Sequence, residues 1–247
     1  MYQIVNGIVL NRTNFLDYDK IIILYTLQLG KIKVLFKSVN KPFAKLIYIT
    51  EPATEIELQC VKLRSKDYGY VFKAAGGKIL SFNNELRKNL SVYIYTCKIL
   101  DLVDALTLEL AKDENKFFLI KRVFQVLPSS KNIHLVYLAF VYRFIKLCGY
   151  MPLLKNCVKC KTKLLESNKF FYFDFLDGGV VCERCFNNNS SLKISSNTIK
   201  IIQKFYKLNA EQIDKLELPQ DNIEEINKLT FLYLQNYIHR PLKVNNC

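Results

Sequence analysis

Four cysteines in two closely spaced pairs are the residues whose types and spacing could do chemistry in this chain. The two Cys-x-x-Cys pairs, separated by 21 residues, are Cys157 with Cys160 and Cys182 with Cys185. Each pair can form a tight turn that directs two thiolates at one ion, and tetrahedral zinc needs two such turns facing each other. The spacing is close to that of four-cysteine zinc sites. Because four thiolates fill the coordination shell, the pattern predicts one structural zinc ion.

Two other chemistries use the same residue type. A single Cys-x-x-Cys motif can be a thioredoxin-like redox pair, but the two pairs here lack the βαβ context of that fold. Four cysteines can also hold an iron–sulfur cluster. Between the pairs, residues 169–175 are predicted to form a strand and Asp177-Gly178-Gly179 a turn. The metal would therefore hold together a hairpin whose own core is small.

The cysteine usage and the N-terminus indicate the compartment. No basic segment precedes the first apolar residues, and no uncharged run approaches the roughly 20 residues of a membrane-spanning helix. In a reducing compartment, clustered cysteines indicate metal binding rather than disulfides. We therefore expect a cytoplasmic protein that does not interact with membranes.

The charge of the chain indicates a polyanionic partner. The 247 residues carry a formal net charge of +14, with a pI near 9.3. Such a charge raises the local concentration of a polyanion, and nucleic acid is the leading class. The alternative is a lysine-rich composition that serves solubility alone.

The first third of the chain has the pattern of a small β-barrel. Short apolar segments rich in Val, Ile, Tyr and Phe are punctuated by Gly and Pro. The predicted strands are residues 3–10, 21–27, 31–37, 53–63 and 70–74. Five short strands without intervening amphipathic helices favour an OB-fold, and an SH3-like barrel is the nearest competitor.

The remainder of the chain is predicted to be helical. After Gly76-Gly77 the apolar residues recur at three- and four-residue steps, beginning near Leu86. Further helices are predicted at residues 115–126, 133–148, 195–208 and 221–238. Gly149 is the predicted C-terminal cap of the third helix, and Ser196 and Asp221 are the predicted N-caps of the last two. The fold class is thus α+β, with an OB-fold at 1–80, a helical domain at 81–247 and a zinc hairpin inserted at about 150–190.

One predicted strand carries a row of basic residues. Strand geometry places Lys31, Lys33 and Lys37 on one face and the apolar residues between them on the other. Three further residues would extend the positive surface and add an aromatic ring: Lys41, Phe43 and Lys45. Lysines on an outer barrel face can follow phosphates without reading sequence, and an exposed aromatic ring can stack on a base. The alternative interpretation is a solvated strand face.

Catalytic motifs are missing from the sequence. The two histidines, His134 and His239, are far apart, and no phosphate-binding loop, dinucleotide-binding turn or nucleophile elbow occurs. We therefore predict that the chain is not an enzyme. A zinc-dependent nuclease or deaminase is the runner-up, although the H-x-E partner of a deaminase is missing. A basic scaffold that binds only protein is the third hypothesis.

Two segments of the chain resemble the bacterial RecO recombination mediator family. The first contains Gly7-Ile8-Val9-Leu10, Arg12, Asp17, Asp19-Lys20-Ile21, Thr26 and Gly30-Lys31. The second, more specific segment contains Gly149-Tyr150-Met151-Pro152, the first cysteine pair, and Gly178-Gly179-Val180-Val181 leading into the second pair. The chain departs from the family pattern at Lys161, where members often have Gly, and at Asp17, where they often have Glu. Glycine at position 161 would relieve backbone strain in the first turn.

The resemblance implies a nucleoid-associated, non-catalytic repair protein. Such a protein binds single- and double-stranded DNA, anneals complementary strands and helps to load recombinase. The implied partners are RecR and the C-terminal tail of single-stranded DNA-binding protein. The implied zinc ligands are the four cysteines, and the implied DNA-binding residues are Arg12, Lys31, Lys33, Lys37, Lys41 and Lys45. The acidic tail is expected in a groove with a basic rim, with Arg143 and Lys146 as candidates.

Overall fold

The computed structural model describes residues 2–44, 46–65, 69–164 and 169–238. The chain divides into two compact units, the first extending through Ser129 and the second beginning at Ser130. The first unit contains the barrel and the helices that follow it. The predicted domain boundary after residue 80 separates the barrel from all of the helices, and this boundary stays a prediction.

Five strands close into a barrel in the first unit. They are β1 (Tyr2–Phe15), β2 (Asp19–Thr26), β3 (Gly30–Phe36), β4 (Glu55–Ser65) and β5 (Gly69–Ser81). The strand order around the barrel is β1-β2-β3-β5-β4, and only the β3–β5 pair is parallel among the pairs described. This closed five-stranded barrel confirms the predicted fold class.

The long first strand closes the barrel. The N-terminal part of β1 pairs with β4, its C-terminal part pairs with β2, and the register shifts between Val9 and Asn11. A strand that serves two neighbours must bend, and a bulge permits the bend. Gly7 lies where β1 pairs with both neighbours, and a Cβ there would lie 2.6 Å from Cγ of Leu24. Closure of the barrel therefore depends on a residue without a side chain at position 7.

Alternation along β3 matches the prediction. Ile32, Val34 and Phe36 are at most 1% exposed and join the barrel core, whereas Lys31 and Lys33 lie on the outer face. Burial of three apolar side chains of this size stabilises the fold by several kcal/mol, at about 1.5–3 kcal/mol for each. The strand therefore cannot shift register by one residue without burying its lysines.

Three helices follow the barrel in the first unit. They are α1 (Glu85–Lys88), α2 (Leu90–Leu106) and α3 (Glu114–Val126). Asn89 and Asp113 cap the N-termini of α2 and α3 by accepting hydrogen bonds from backbone N–H groups of the first turns. The connection between α2 and α3 packs on β3, because the backbone N–H of Leu110 donates to the carbonyl of Lys31 at 2.9 Å.

The second unit combines helices with a three-stranded sheet. In chain order the elements are α4 (Ile133–Leu147), β6 (Phe170–Asp174), β7 (Gly179–Val181), β8 (Ser191–Ser195), α5 (Ser196–Lys207), α6 (Ala210–Asp214) and α7 (Gln220–Gln235). The strand order is β7-β6-β8, and both pairs are antiparallel. None of the helices in the described part of the chain is both long and apolar enough to cross a membrane.

Several boundaries in this unit differ from the prediction. Gly149 adopts φ +86° and ends α4, as predicted. Ser195, rather than Ser196, caps α5, since β8 runs directly into the helix and places the earlier serine at the cap. Helix α7 begins after Pro219, so Asp221 lies in its first turn rather than at its N-cap. Strand β8 and helix α6 were not predicted, because each spans only five residues and neither contains an apolar run like that of β6.

Candidate metal centre and nucleic-acid surface

The four paired cysteines converge in the second unit. Their Sγ atoms all lie within 4.8 Å of one another, and those of Cys160 and Cys182 are 3.6 Å apart. A tetrahedral ion with sulfur ligands at about 2.3 Å requires sulfur–sulfur distances of about 3.8 Å. Cys157 is fully buried, whereas Cys160 is exposed. The donor set and its spacing therefore fit one metal ion held by four thiolates.

Backbone pairing holds the two cysteine turns face to face. The N–H of Val158 donates to the carbonyl of Val180 at 2.9 Å, and the N–H of Val180 donates to the carbonyl of Leu153 at 2.9 Å. The approach is close at Gly179, where a Cβ would lie 2.4 Å from Cγ1 of Val158 and 2.6 Å from the carbonyl oxygen of Leu153. Gly178 supplies the turn itself, with φ +70°. Gly178 thus permits the turn, and Gly179 permits the close approach of the chain to Leu153 and Val158.

The thiols influence one another strongly. The hydroxyl of Thr162, 3.3 Å from Sγ of Cys160, lowers the pKa of Cys160 to about 6. The neighbouring Cys182 raises the pKa of Cys185 to about 12. Four thiols this close cannot all ionise while no cation offsets their repulsion. A divalent metal ion would remove that repulsion, and its binding would release protons.

A buried carboxylate ties the first cysteine turn to the sheet. Asp174 is 1% exposed and accepts hydrogen bonds from Lys159 Nζ at 3.0 Å and from Ser190 Oγ at 2.8 Å. Desolvation raises the pKa of Asp174, but the hydrogen bonds from Lys159 and Ser190 outweigh it and leave the pKa below its usual range. Lys159 lies between the two cysteines of the first turn. Asp174 therefore helps to fix the position of that turn relative to β6.

Lys161 adopts a strained backbone conformation at the end of the first turn. Its φ is +62°, and its N–H donates to the carbonyl of Cys157 at 2.9 Å. The left-handed region costs an L-residue about 1–2 kcal/mol. Lysine in place of the glycine of the family pattern therefore adds backbone strain at the end of the first turn.

We expect the hairpin to be most stable with Gly at position 161, less stable with the native Lys, and least stable with Val. Lys161→Gly should stabilise it by up to about 1 kcal/mol, and Lys161→Val should destabilise it by about 1–2 kcal/mol, because β-branched residues tolerate positive φ least. The measurement is the rate of metal release to a coloured chelator, which should follow the reverse order. Equal rates for the glycine and valine variants would show that backbone strain at this residue does not affect the site.

Carboxylates already pair with three of the predicted DNA-binding residues. Lys31 Nζ donates to the carbonyl of Asp104 at 2.6 Å and lies 3.3 Å from its carboxylate, and the lysine side chain is only 13% exposed. Lys33 Nζ lies 2.6 Å from the carboxylate of Glu109. Arg12 pairs with Glu51. The outer face of β3 is therefore much less positive than the sequence of the strand indicates.

Two of the predicted DNA-binding lysines have no ion-pair partner among the described residues and lie at one end of the barrel. Lys37 and Lys41 are exposed, and no carboxylate of the described residues forms an ion pair with either. Lys41 Nζ lies 5.5 Å from the ring centre of Tyr18, which is 49% exposed, and Phe43 is fully exposed. We call Tyr18, Lys37, Lys41 and Phe43 the barrel-end surface. Lys45 lies outside the described residues.

Hydrogen bonds hold the two loops of the barrel-end surface together. The backbone N–H of Asn40 donates to the carbonyl of Tyr18 at 2.9 Å, and the backbone N–H of Ser38 donates to the carboxylate of Asp19 at 2.7 Å. The loop between β1 and β2 and the loop after β3 thus form one surface. Tyr18 is a member that sequence reasoning missed, since only the fold brings it under Lys41.

The predicted partner-binding residues lie at the C-terminal end of α4. Arg143 Nε donates to the carbonyl of Phe205 at 2.6 Å, and burial lowers the pKa of Arg143 despite the nearby carboxylate of Glu211. Lys146 is exposed, with its Nζ 5.7 Å from the ring centre of Tyr206. Arg143 is thus held by a hydrogen bond to α5, and Lys146 is the more accessible cation.

Comparison with known proteins places this chain in a family. Residues 1–75 match the family described as recombination protein O N terminal, and residues 87–246 match recombination protein O C terminal. The chain belongs to the recombination protein O family. Membership in the RecO family assigns the chain to DNA repair and recombination.

Curated RecO relatives resemble the chain over nearly its full length. The DNA repair protein RecO of Caldicellulosiruptor bescii is 26% identical over 238 residues, which cover 96% of this chain and 94% of the relative. The DNA repair protein RecO of Bacillus subtilis is also 26% identical over 238 residues, covering 96% of this chain and 90% of the relative. The similarity therefore includes both the barrel and the four-cysteine unit.

Proposed function

We propose that the chain binds single- and double-stranded DNA without sequence specificity and anneals complementary strands. The observation that carries this proposal is the barrel-end surface in a RecO-family chain, where two hydrogen-bonded loops carry two lysines without ion-pair partners and two exposed aromatic rings. In OB-folds the face of strands 2 and 3 and the loops between strands 1 and 2 and between strands 4 and 5 bind oligonucleotides, and Tyr18 lies in the loop between β1 and β2. The net charge of +14 adds a long-range attraction for any polyanion.

The chemistry of the surface suits a DNA backbone rather than a base sequence. Lys37 and Lys41 would neutralise phosphates, and a lysine ammonium contacts phosphate without reading the base. Phe43 and Tyr18 offer π-faces on which any unpaired base can stack, at about 1–3 kcal/mol for each base. Specificity would then come from protein partners.

The test of this proposal is a binding titration across a salt series. Two unrelated single strands and their duplexes, each labelled with fluorescein, are titrated with the native chain while anisotropy is recorded. We expect similar affinities for the two sequences and a linear fall of log K with log salt concentration. Affinity that depends on one base sequence, or that does not change with salt, would contradict the mechanism. Cleavage of DNA that stops on chelation would favour a zinc-dependent enzyme.

Removing the counterion of Lys33 should strengthen DNA binding. Glu109→Gln keeps the side-chain shape and the backbone contact with β3 but leaves the lysine charge unmatched. We expect a gain of a few-fold in affinity at low salt and a steeper salt dependence by up to about one unit. Glu114→Gln, which frees Lys112 on the same unit, is the matched control. Equal effects of the two variants would mean that β3 lies outside the DNA-binding surface.

We further propose that the metal is one structural zinc ion and that the chain itself is not an enzyme. Support for zinc comes from the four-thiolate donor set, which zinc prefers and which leaves no open coordination position. The proposed protein partners are RecR, with which the chain would help to load recombinase, and the C-terminal tail of single-stranded DNA-binding protein. Family membership also supports a cytoplasmic, nucleoid-associated location.

The partner proposal for the tail rests on Arg143 and Lys146. An acidic tail peptide should bind the native chain, and Lys146→Glu should weaken that binding. Lys146 is exposed, and the substitution replaces a cation that attracts the peptide with a carboxylate that repels it. Arg143→Lys should have a smaller effect on the peptide, since the guanidinium is engaged with the carbonyl of Phe205. Peptide affinity that is unchanged by Lys146→Glu would place the tail elsewhere.

A further inference from the structure

One face of the three-stranded sheet in the second unit has an exposed aromatic ring, Phe170, beside a cation. The pairing of β6 with β8 sets Tyr172 opposite Lys193 and Phe170 opposite Ser195, so Phe170, Tyr172 and Lys193 share one face. Phe170 is 52% exposed, and Lys193 Nζ lies 4.4 Å from the centre of its ring. A cation at this distance attracts the ring face and also stays available to an anion.

The same face continues into a cleft with more aromatic and basic groups. The ring of Phe186 lies 4.1 Å from that of Tyr172 between ring centres. The cleft has a volume of about 730 Å³ and is lined by three cations, Lys169, Arg184 and Lys193, and by one carboxylate, Glu183. Apart from the cysteines, its side chains thus combine π-faces with more cations than carboxylates.

The core of this unit does not require the exposed ring of Phe170. The opposite face of the sheet supplies buried side chains, among them Phe173 and Ile194, both fully buried. Phe170 therefore contributes little to the packing of this core, and its ring is accessible to a ligand. Exposed aromatic rings interleaved with lysines are the arrangement on which unpaired bases stack.

We propose that this face, comprising Phe170, Tyr172, Phe186 and Lys193, is a second binding site for single-stranded nucleic acid. The inference deepens the proposed function and rests on it. Unpaired bases would stack on Phe170 while Lys169 and Lys193 contact the adjoining phosphates. A duplex keeps its bases stacked on one another, so this site is selective for single strands.

The metal centre affects how this site would bind. Cys160, Cys182 and Cys185 also line this cleft, and four thiolates would outweigh the charge of a divalent ion. Phosphates would therefore keep to the side of Lys169 and Lys193, and stacking would carry most of the affinity. Loss of a ring should weaken binding without changing the salt dependence, whereas loss of a barrel-end lysine should reduce that dependence.

The test compares Phe170→Ala with Phe231→Ala in the full-length chain. Phe231 is 63% exposed on α7 and is the matched control for removal of an exposed ring. Anisotropy titrations use labelled oligo-dT and a labelled duplex, and metal content together with circular dichroism checks that each variant is folded. We expect Phe170→Ala to weaken oligo-dT binding by about tenfold, with an unchanged salt slope and unchanged duplex affinity.

A set of variants separates the outcomes for the two sites. In a chain carrying Lys37→Glu and Lys41→Glu, residual oligo-dT binding should fall further on Phe170→Ala and on Lys193→Glu. If Phe170→Ala weakens oligo-dT binding neither in the native chain nor in the Lys37→Glu, Lys41→Glu chain, the second site is wrong. The barrel proposal would then stay intact. Failure of the native chain to bind any DNA would overturn both. Equal losses from Phe170→Ala and Phe231→Ala would also overturn the site.

Discussion

Replacing Cys157 with serine should abolish metal binding and unfold the hairpin that contains β6 and β7. Cys157 is fully buried between the two cysteine turns, and its N–H donates to the carbonyl of Thr162 at 2.9 Å. Structural zinc contributes about 10–16 kcal/mol of apparent binding free energy in small domains, and a hairpin that no longer binds the metal loses that contribution. Even a part of it exceeds what strands of five and three residues supply. We expect zinc content to fall from about one ion per chain to near zero, with a clear drop in Tm.

Cys60→Ser is the control for this prediction. Cys60 is also fully buried, but it lies in the barrel core, where burial raises the pKa of its thiol to about 11. The substitution should destabilise the first unit while the metal content stays at the native level. Elemental analysis and thermal unfolding measure both variants. Native metal content in the Cys157 variant would show that the four cysteines do not act as one ligand set.

Reversing both lysine charges of the barrel-end surface should produce the largest loss of DNA binding. The Lys37→Glu, Lys41→Glu variant would remove the two proposed phosphate contacts and replace them with repulsion. Each lost contact should reduce the salt slope by about 0.7–0.9, and we expect affinity at low salt to fall by roughly 10- to 100-fold. Both residues lie in loops and are exposed, so the barrel should stay folded. Anisotropy titration in a salt series measures the effect.

A control with the same change in net charge separates local contacts from the overall field. The Lys88→Glu, Lys228→Glu variant reverses two exposed lysines on helices α1 and α7. Each double reversal lowers the net charge of +14 by four, to +10. If the control loses as much affinity as the barrel-end variant, binding depends on total charge and the assignment to the barrel end is wrong.

Features encoded by neighbouring residues could be predicted from the sequence. The two Cys-x-x-Cys pairs, the alternation along β3 and the helix stop at Gly149 each depend on residues a few positions apart. Local spacing fixes the directions of side chains in a strand or turn, so these features need no knowledge of the tertiary fold. The prediction of a barrel followed by helices rests on the same kind of local periodicity.

Features that depend on distant residues could not be predicted. Lys31 meets Asp104 across 73 positions of sequence, and Lys33 meets Glu109 only because the connection between α2 and α3 packs on β3. A strand that is strongly basic by sequence is therefore largely neutralised in the fold. The contact of Lys41 with Tyr18 has the same origin, since it requires two loops to be hydrogen-bonded at one barrel end.

The rate of strand annealing is the measurement that tests the central claim most directly. Two unrelated pairs of complementary strands are mixed with the native chain, and duplex formation is followed by fluorescence quenching at several salt concentrations. The account predicts similar acceleration of both pairs, a steep loss of acceleration as salt rises, and little acceleration by the Lys37→Glu, Lys41→Glu variant. No acceleration by the native chain, or acceleration of one sequence alone, would contradict it.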